Sequence, residues 1–277
     1  MPWCARCLTN FAAAGIIHAE PCMGVISVKM RHVEESDVLR FSPCREIVYT
    51  NYRNKEKTEE RALISEEVTM PVIIDGEERG ALIASPQDLY HLTIGYVLAE
   101  GLVRTYADIE SVVITDGRAL VTLTKEGHEK PSCPVDRLGP VAAEEICSYG
   151  SLLDSLSAAH HSSHGVHEGA LVRKGGEMLA YAEDIGRHNV LDRLRGIVEE
   201  KGIDVSDVML IFSGRVPQSV ITKVHGMGLH LIASRALSSA LGLELADKLG
   251  ITVICGLRPD SFRLYTHKER ISFEQYA

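Results

Sequence analysis

Apolar and polar positions alternate along Val68–Ile74, and the run stops at Asp75-Gly76, a pair suited to a tight turn. Ala81–Ala84 answers it, which predicts a hairpin. Ile109–Thr115 and Ala119–Thr124 flank Asp116-Gly117 and predict a second. Between them, Ser85-Pro86 has the N-cap and first-turn pattern of a helix start, and Gly101 suits its end. Leu89, Leu92, Tyr96 and Ala99 supply the apolar face of that helix. These elements predict a small α+β lobe, preceded by Arg53–Glu67, a charge-rich stretch that reads as a solvated lead-in. A loop through Lys125–Pro140 separates the lobe from a helix predicted over Ala142–Ala159.

The pattern then changes to alternation of strands and helices. Strands are predicted at Gly169–Arg173 and Met178–Glu183, on either side of Lys174-Gly175-Gly176. A helix over Asn189–Lys201 leads to a strand at Val208–Phe212, and a helix over Gln218–His225 to a strand at Leu229–Ala233. A last helix, Ala240–Leu249, precedes a strand at Thr252–Cys255. Helices on both faces of a mixed or mostly parallel sheet are the natural way to bury such elements. The expected organisation is an ill-ordered extension at residues 1–40, an α+β lobe at 41–140 and an α/β domain at 141–277. Met23 or Met30 would then serve as a natural start.

Composition narrows the class. The chain has 277 residues, 45% apolar and 24% charged, enough for one large or two modest cores. A formal charge of −9 argues against general binding to nucleic acid or anionic membrane, but not against one local basic pocket. No apolar run approaches the length of a bilayer-spanning helix, and Phe11–Ile17 is too short for a convincing secretory signal, so a cytoplasmic protein is expected. Seven cysteines without framework spacing do not read as a secreted disulfide scaffold. Cys255 follows an apolar run and reads as a core thiol, Cys147 is expected to share that explanation, and Cys44 has no evident partner. Cys4, Cys7, His18 and Cys22 have loosely zinc-like spacing but lack the strand and turn pattern of a zinc ribbon. His18-Ala19-Glu20-Pro21-Cys22 contains both halves of a nucleobase-deaminase signature fused together, whereas a working zinc site draws them from separate elements. His160, His161 and His164 read as loop residues before metal ligands.

The densest chemistry lies in Glu183-Asp184-Ile185-Gly186-Arg187-His188-Asn189-Val190-Leu191-Asp192, where a strand hands over to a helix. A buried core does not call for that mixture, whereas such junctions commonly hold ligand groups. The run, extended to Arg193, resembles the signature of the FdhD family, sulfurtransferase accessory proteins of formate dehydrogenase maturation. Four further segments fall in that family's order: Leu92–Gly101, Gly165–Leu171, Phe212–Arg215, and Cys255–Thr266 ending near Arg270-Ile271.

The resemblance implies a three-layer α/β/α core like that of cytidine deaminases, without their zinc, beside the smaller N-terminal α+β lobe. It implies a sulfurtransferase that relays sulfur from a cysteine desulfurase, through a cysteine persulfide, to the molybdenum bis(molybdopterin guanine dinucleotide) cofactor. That cofactor is a bound substrate, to be passed to an apo formate dehydrogenase or related molybdoenzyme, and no catalytic metal is expected. A homodimer is the family's usual form. The reactive cysteine falls on Cys133 in Pro131-Ser132-Cys133-Pro134-Val135-Asp136, with Lys125, Lys130 and Arg137 near in sequence to favour a thiolate. Asp136 stands where the family has a second cysteine, and Pro134 and Arg137 replace its loop glycines. Cofactor contacts are implied at Gly256, Leu257, Arg258, Pro259, Asp260 and Ser261, with Arg258 on phosphate and Asp260 on a guanine edge. Ser213, Gly214 and Arg215 would form a phosphate-approaching turn, and Arg187, His188 and Asn189 a polar wall with Asp184 orienting Arg187. His167 is either a ligand contact or a hydrogen-bonded core histidine. Two other readings compete: a cofactor-binding chaperone without sulfur chemistry, and a zinc hydrolase on a deaminase fold.

Overall fold

A computed structural model describes residues 44–129, 134–156 and 165–273. All of them belong to one compact unit, Val33–Ala277. The expectations for residues 1–40, including Met23, Met30, Cys4, Cys7, His18 and Cys22, lie outside the described residues. So do Cys133, His160, His161 and His164.

The chain opens with a two-stranded hairpin, β1 (Cys44–Arg53) and β2 (Glu56–Ser65). The charge-rich lead-in, Arg53–Glu67, is therefore the turn and second strand of a hairpin. Its turn, Asn54-Lys55, takes positive φ at both residues, the conformation for which Asn-Gly is the usual signal. A four-stranded sheet follows, made from β3 (Val68–Ile74), β4 (Glu77–Ala84), β5 (Ile109–Thr115) and β6 (Arg118–Leu123) in the order β4-β3-β6-β5. Both hairpin signals of the lobe are realised, and Asp116 and Gly117 supply the positive φ of the second turn.

Helix α1 (Leu89–Ala99) starts later than Ser85 because Asp88, not Ser85, caps it. Ser85 is engaged elsewhere: its N–H donates to Asp184 at 3.2 Å and its hydroxyl accepts from the Ile185 N–H at 3.1 Å. The expected single apolar face is also corrected. Leu92, Thr93, Ile94, Gly95, Val97 and Leu98 are all buried, since α1 lies between the four-stranded sheet and a second helix, whereas Leu89, Tyr96 and Ala99 are only half-buried.

After the short β7 (Val141–Ala142), the helix expected to continue to Ala159 is, among the described residues, α2 (Ala143–Ser148) followed by single 3₁₀ turns at Tyr149–Ser151 and Leu153–Ser155. Gly150 sits directly on the backbone of Arg258 and Pro259, where any Cβ would collide with it. Close seating on that loop, not local propensity, accounts for the break.

The main sheet has six strands in the order β13-β12-β11-β10-β8-β9. These are β8 (His167–Arg173), β9 (Met178–Asp184), β10 (Val208–Phe212), β11 (Leu231–Ser234), β12 (Thr252–Arg258) and β13 (Ser261–Leu264). β10, β11 and β12 are parallel, while β8 and β13 run antiparallel to their neighbours. Period-two alternation sorts each strand between two cores. Leu171, Val208, Leu210, Phe212, Ile232, Val253 and Cys255 face α3 (Arg187–Lys201), α4 (Gln218–Gly226) and α5 (Ala240–Lys248). Ala170, Val172, Met209, Ile211, Leu231, Ala233 and Ile254 face α2, its 3₁₀ turns and the last strand, β14 (Ile271–Ser272). The architecture is mixed α/β with both sheet faces covered.

α1 crosses α3 at close range. A Cβ on Gly95 would overlap the Asp192 carbonyl, and one on Gly196 would overlap the His91 carbonyl. Among the described residues, no helix is long and apolar enough to cross a membrane.

Candidate functional site

Parallel strands present free backbone groups at their carboxyl ends, and here three such ends lie side by side. β10 runs into Ser213-Gly214-Arg215, β11 into Arg235 and β12 into Arg258-Pro259. Hydrogen bonds stitch them into one rim. The Ser234 hydroxyl donates to the Gly214 carbonyl at 2.7 Å and accepts from the Ala236 N–H at 3.1 Å. Gly256 N–H donates to the Ala236 carbonyl at 3.1 Å, and Arg258 Nη1 donates to the Arg235 carbonyl at 3.2 Å. A register shift between Cys255 and Arg258, with Gly256 at φ 64°, turns this end of β12 out of the ladder.

The first turn of α3 meets the same rim. A Cβ on Gly214 would lie 3.2 Å from Arg187 Cβ and 2.8 Å from the Phe212 ring, so only glycine lets this turn seat against Arg187. Arg187 Nε is buried, and no protein group described accepts from it. A buried guanidinium N–H without an acceptor is costly, and an anion at this rim would satisfy it. Ser213 is pinned to β8, its hydroxyl accepting from Glu168 N–H at 2.8 Å.

The remaining expected residues divide by environment. His188 bonds Ser219 Oγ at 2.9 Å, and burial, then the charges of Arg187 and Lys223, holds its imidazole below the ordinary histidine value. A neutral ring suits a site already rich in cations. Asn189 turns its amide inward, to the Ile83 carbonyl at 2.7 Å and to Asp184 at 2.8 Å. His167 lies opposite Asp184 across β8 and β9 and is half-buried. Leu257 is fully buried in the core, so only its backbone can face a ligand, whereas Arg215, Arg258, Pro259, Asp260 and Ser261 are exposed.

Asp184 does not orient Arg187; its partner is Arg193, six positions along α3. Arg193 Nη2 and Nε reach Asp184 Oδ2 at 2.5 and 3.1 Å, with both side chains buried. The same guanidinium donates to the carbonyls of Ser85, Gln87 and Asp88. Asp184 also accepts from Gly186 N–H at 2.8 Å, so one buried carboxylate fixes the entry to α3 against the lobe. Arg193 closes the signature run, but its local pattern, an arginine within a helix, does not announce this pairing. Arg235 was legible in principle: it follows a predicted strand just as Ser213 and Gly256 do.

Cys147 departs from the core-thiol expectation. It is half-buried and lines a pocket of about 500 Å³ with Glu144, Pro259, Asp260, Ser261 and Phe273. Burial, then the charges of Glu144 and Asp260, push its thiol up, away from a reactive thiolate. Cys255 is buried as expected, and burial pushes its thiol up to about 11. Cys44, at the head of β1, is half-buried.

The segment from Pro134 onward lies at the opposite, amino edge of the parallel strands. Pro134 packs on Gly228 with a carbon 2.6 Å from where a Cβ would stand, and Arg137 N–H donates to Ser206 at 2.8 Å. Asp136 Oδ2 accepts from Arg270 Nε and Nη2 at 2.9 and 2.6 Å, while Arg270 Nη1 reaches Thr252, the first residue of β12. At about 3.3 Å per residue, the four residues of β11 put roughly 13 Å between this edge and the arginine rim.

Comparison with known proteins identifies the family and supports the fold. The model of the FdhD/NarQ family matches residues 65–139 and 134–272. A "Sulfur carrier protein FdhD" of Geobacillus kaustophilus is 32% identical over 248 residues, covering 79% of this chain and 94% of the relative. One of Staphylococcus aureus (strain MRSA252) is 30% identical over 233 residues, covering 74% and 88%. A crystal structure of a Desulfotalea psychrophila protein, assigned as a formate dehydrogenase accessory protein, superposes with a TM-score of 0.74 at 22% identity. It covers 83% of this chain and 100% of its own, and so supports the fold.

Proposed function

Since this chain belongs to the FdhD/NarQ family, we propose that it carries sulfur from a cysteine desulfurase to the molybdenum bis(molybdopterin guanine dinucleotide) cofactor of a formate dehydrogenase or related molybdoenzyme. The observation that supports a cofactor site most directly is the buried Arg187 Nε without an acceptor, beside Gly214 and the Arg258 rim. In this reading Arg187, Arg215 and Arg258 hold phosphate oxygens, the Ser213-Gly214 backbone approaches them closely, and Asp260 accepts from a guanine edge. His188 stays neutral and donates or accepts a hydrogen bond without adding charge. The six-stranded sheet is the cytidine-deaminase-like core, used here as a binding platform and not for zinc chemistry.

Sulfur would be carried by Cys133. Its thiolate attacks the outer sulfur of the donor's persulfide, the donor's cysteine leaves as a thiolate, and the new S–S bond is on Cys133 with no net oxidation. The neighbouring segment, Pro134–Leu138, is at the amino edge and the arginine rim at the carboxyl edge, so donor and cofactor would approach different edges of the same sheet. A cytoplasmic setting belongs to the same reading.

The test is anaerobic peptide mass analysis after incubation with a cysteine desulfurase and cysteine. A one-sulfur gain on the Cys133 peptide, lost in Cys133→Ala, is expected; no gain on any cysteine overturns the carrier reading. One observation favours a chaperone without sulfur chemistry: Asp136, where a second cysteine would stand, is tied to Arg270 and offers no thiol. Under that reading, Cys133→Ala supports maturation as well as the wild type, whereas Arg258→Ala does not.

A further inference from the structure

His91 lies in the first turn of α1, where that helix crosses α3, and the proposed function does not use it. Its ring is engaged at both nitrogens. Nδ1 is 2.7 Å from Oδ1 of Asp88, the N-cap of its own helix, and Nε2 is 2.7 Å from Oε2 of Glu200, in the last turn of α3. A neutral imidazole has one N–H and one lone pair, so it can donate to only one of two carboxylates. The other carboxylate would then face a lone pair at hydrogen-bond distance. The three groups therefore share two protons, and an imidazolium donating through both nitrogens is the form that suits them.

The contact sits where it can act on the fold. Gly196 of α3 seats on the His91 carbonyl, and Glu200 lies one turn farther along the same helix face. The Asp88 carbonyl accepts from Arg193 Nη1 at 2.8 Å. The ring thus joins the Ser85–Asp88 segment of the lobe to the far end of the helix that opens with Arg187 and His188. We propose that His91 is a proton-operated latch: protonated, it ties α1 to α3, and on losing that proton it releases one carboxylate and loosens this corner of the crossing.

The groups around the ring fix the direction. Burial by itself would lower its pKa, but Asp88, then Glu200, outweigh burial and hold it above the ordinary histidine value. On α3, Arg193 is engaged with Asp184 and backbone carbonyls, Asp192 pairs with Lys223, and Arg195 with Glu199. From the lobe sheet, β5 and β6 pack on α1, and their charged residues, Glu110 and Arg118, are exposed. Tyr90 meets the ring edge-on, with centroids 5.3 Å apart. Burial, then Tyr106 of the 3₁₀ turn Tyr106–Asp108, push the Tyr90 hydroxyl up, so it stays neutral while His91 titrates. A histidine raised in the folded state stabilises fully below its unfolded value of about 6.5, and that contribution is lost as pH rises through the higher folded value.

The test follows the histidine rings of the full chain by NMR from about pH 5 to 9, a range that brackets the ordinary value. The His91 ring is assigned through its contact with the Tyr90 ring. It is expected to titrate above about 6.5, with a midpoint that falls toward that value in Glu200→Gln. Amide exchange over 89–99 and 190–201, corrected for intrinsic rates, reads the corner itself. Each unit by which the midpoint exceeds the unfolded value should appear as about a tenfold rise in opening across the range. His91→Gln has no proton to lose and should show no such rise. A His91 ring that titrates at or below about 6.5 overturns the proposal, as does an unchanged midpoint in Glu200→Gln or the same pH-dependent opening in His91→Gln.

Discussion

Replacing Arg193 by Met tests the buried pair that ties the signature segment to the N-terminal lobe. Arg193 is 2% exposed and Asp184 fully buried, and the guanidinium makes five hydrogen bonds, two of them to the carboxylate. Methionine fills much of the same volume but leaves Asp184 with only the N–H groups of Ser85, Gly186 and Asn189. It also strips a donor from the carbonyls of Ser85, Gln87 and Asp88. Removing one member of a buried ion pair costs about 3–5 kcal/mol, because the other charge remains in a place where water cannot reach it. For a domain of this size, that corresponds to a fall in Tm of about 6–20 °C. Urea unfolding followed by circular dichroism measures it. The double variant Asp184→Leu/Arg193→Met removes both charges, so it should recover a large part of the loss, a coupling that a mere packing defect would not show. A cost for Arg193→Met below about 1 kcal/mol would refute the reasoning, since it would mean that the pair is solvated or easily replaced.

Two further outcomes follow from the packing. Gly95→Ala should destabilise the protein by about 2 kcal/mol or more, since the new methyl meets the Asp192 carbonyl and the α1–α3 crossing must open; a neutral Gly95→Ala in the same urea assay would contradict the close approach. Burial pushes the Asp136 carboxyl up, but the Arg270 guanidinium and the Leu138 N–H more than offset it, so the group is held below the ordinary carboxylate value. Its contribution is therefore present above the unfolded value near 4 and is lost as pH falls through the lower folded value. Asp136→Asn should flatten that part of the stability–pH curve and leave stability above pH 7 the lower of the two, which unfolding at a series of pH values would reveal.

Local pattern was enough wherever a segment's fate depended on its own residues. β3, β5 and β10 have the predicted bounds because alternation or a short apolar run was closed by turn residues on both sides. The first hairpin was hidden because Asn54-Lys55 makes a turn that usually shows a glycine, and because its apolar groups sit on both strand faces and so do not alternate. The helix at 142–159 and the apolar face of α1 failed for a different reason. Each depended on a glycine, Gly150 or Gly95, whose importance lies in a backbone more than 90 residues away. At the candidate site, residues just past strand ends were legible by position, whereas the Asp184–Arg193 pairing needed the relative placement of β9, α3 and the Ser85–Asp88 segment.

The same contrast bears on the loop that departs most from the family pattern. Read along the chain, Asp136 is a missing thiol and Pro134 and Arg137 are lost glycines. In the fold, each does something that a Cys-Gly pattern would not. Pro134 packs on Gly228, the Arg137 guanidinium pairs with Asp204 at 3.3 Å, and Asp136 takes two hydrogen bonds from Arg270. Three positions after Cys133, the chain is therefore fastened to the start of β12, and three residues can span at most about 11 Å. The four residues of β11 put the carboxyl-edge rim roughly 13 Å from that edge, slightly more than this tether allows while the Asp136–Arg270 contact holds. Under the proposed carrier reading, release of that contact would lengthen the tether toward the rim, and a charge-neutral Asp136→Asn would make that release easier.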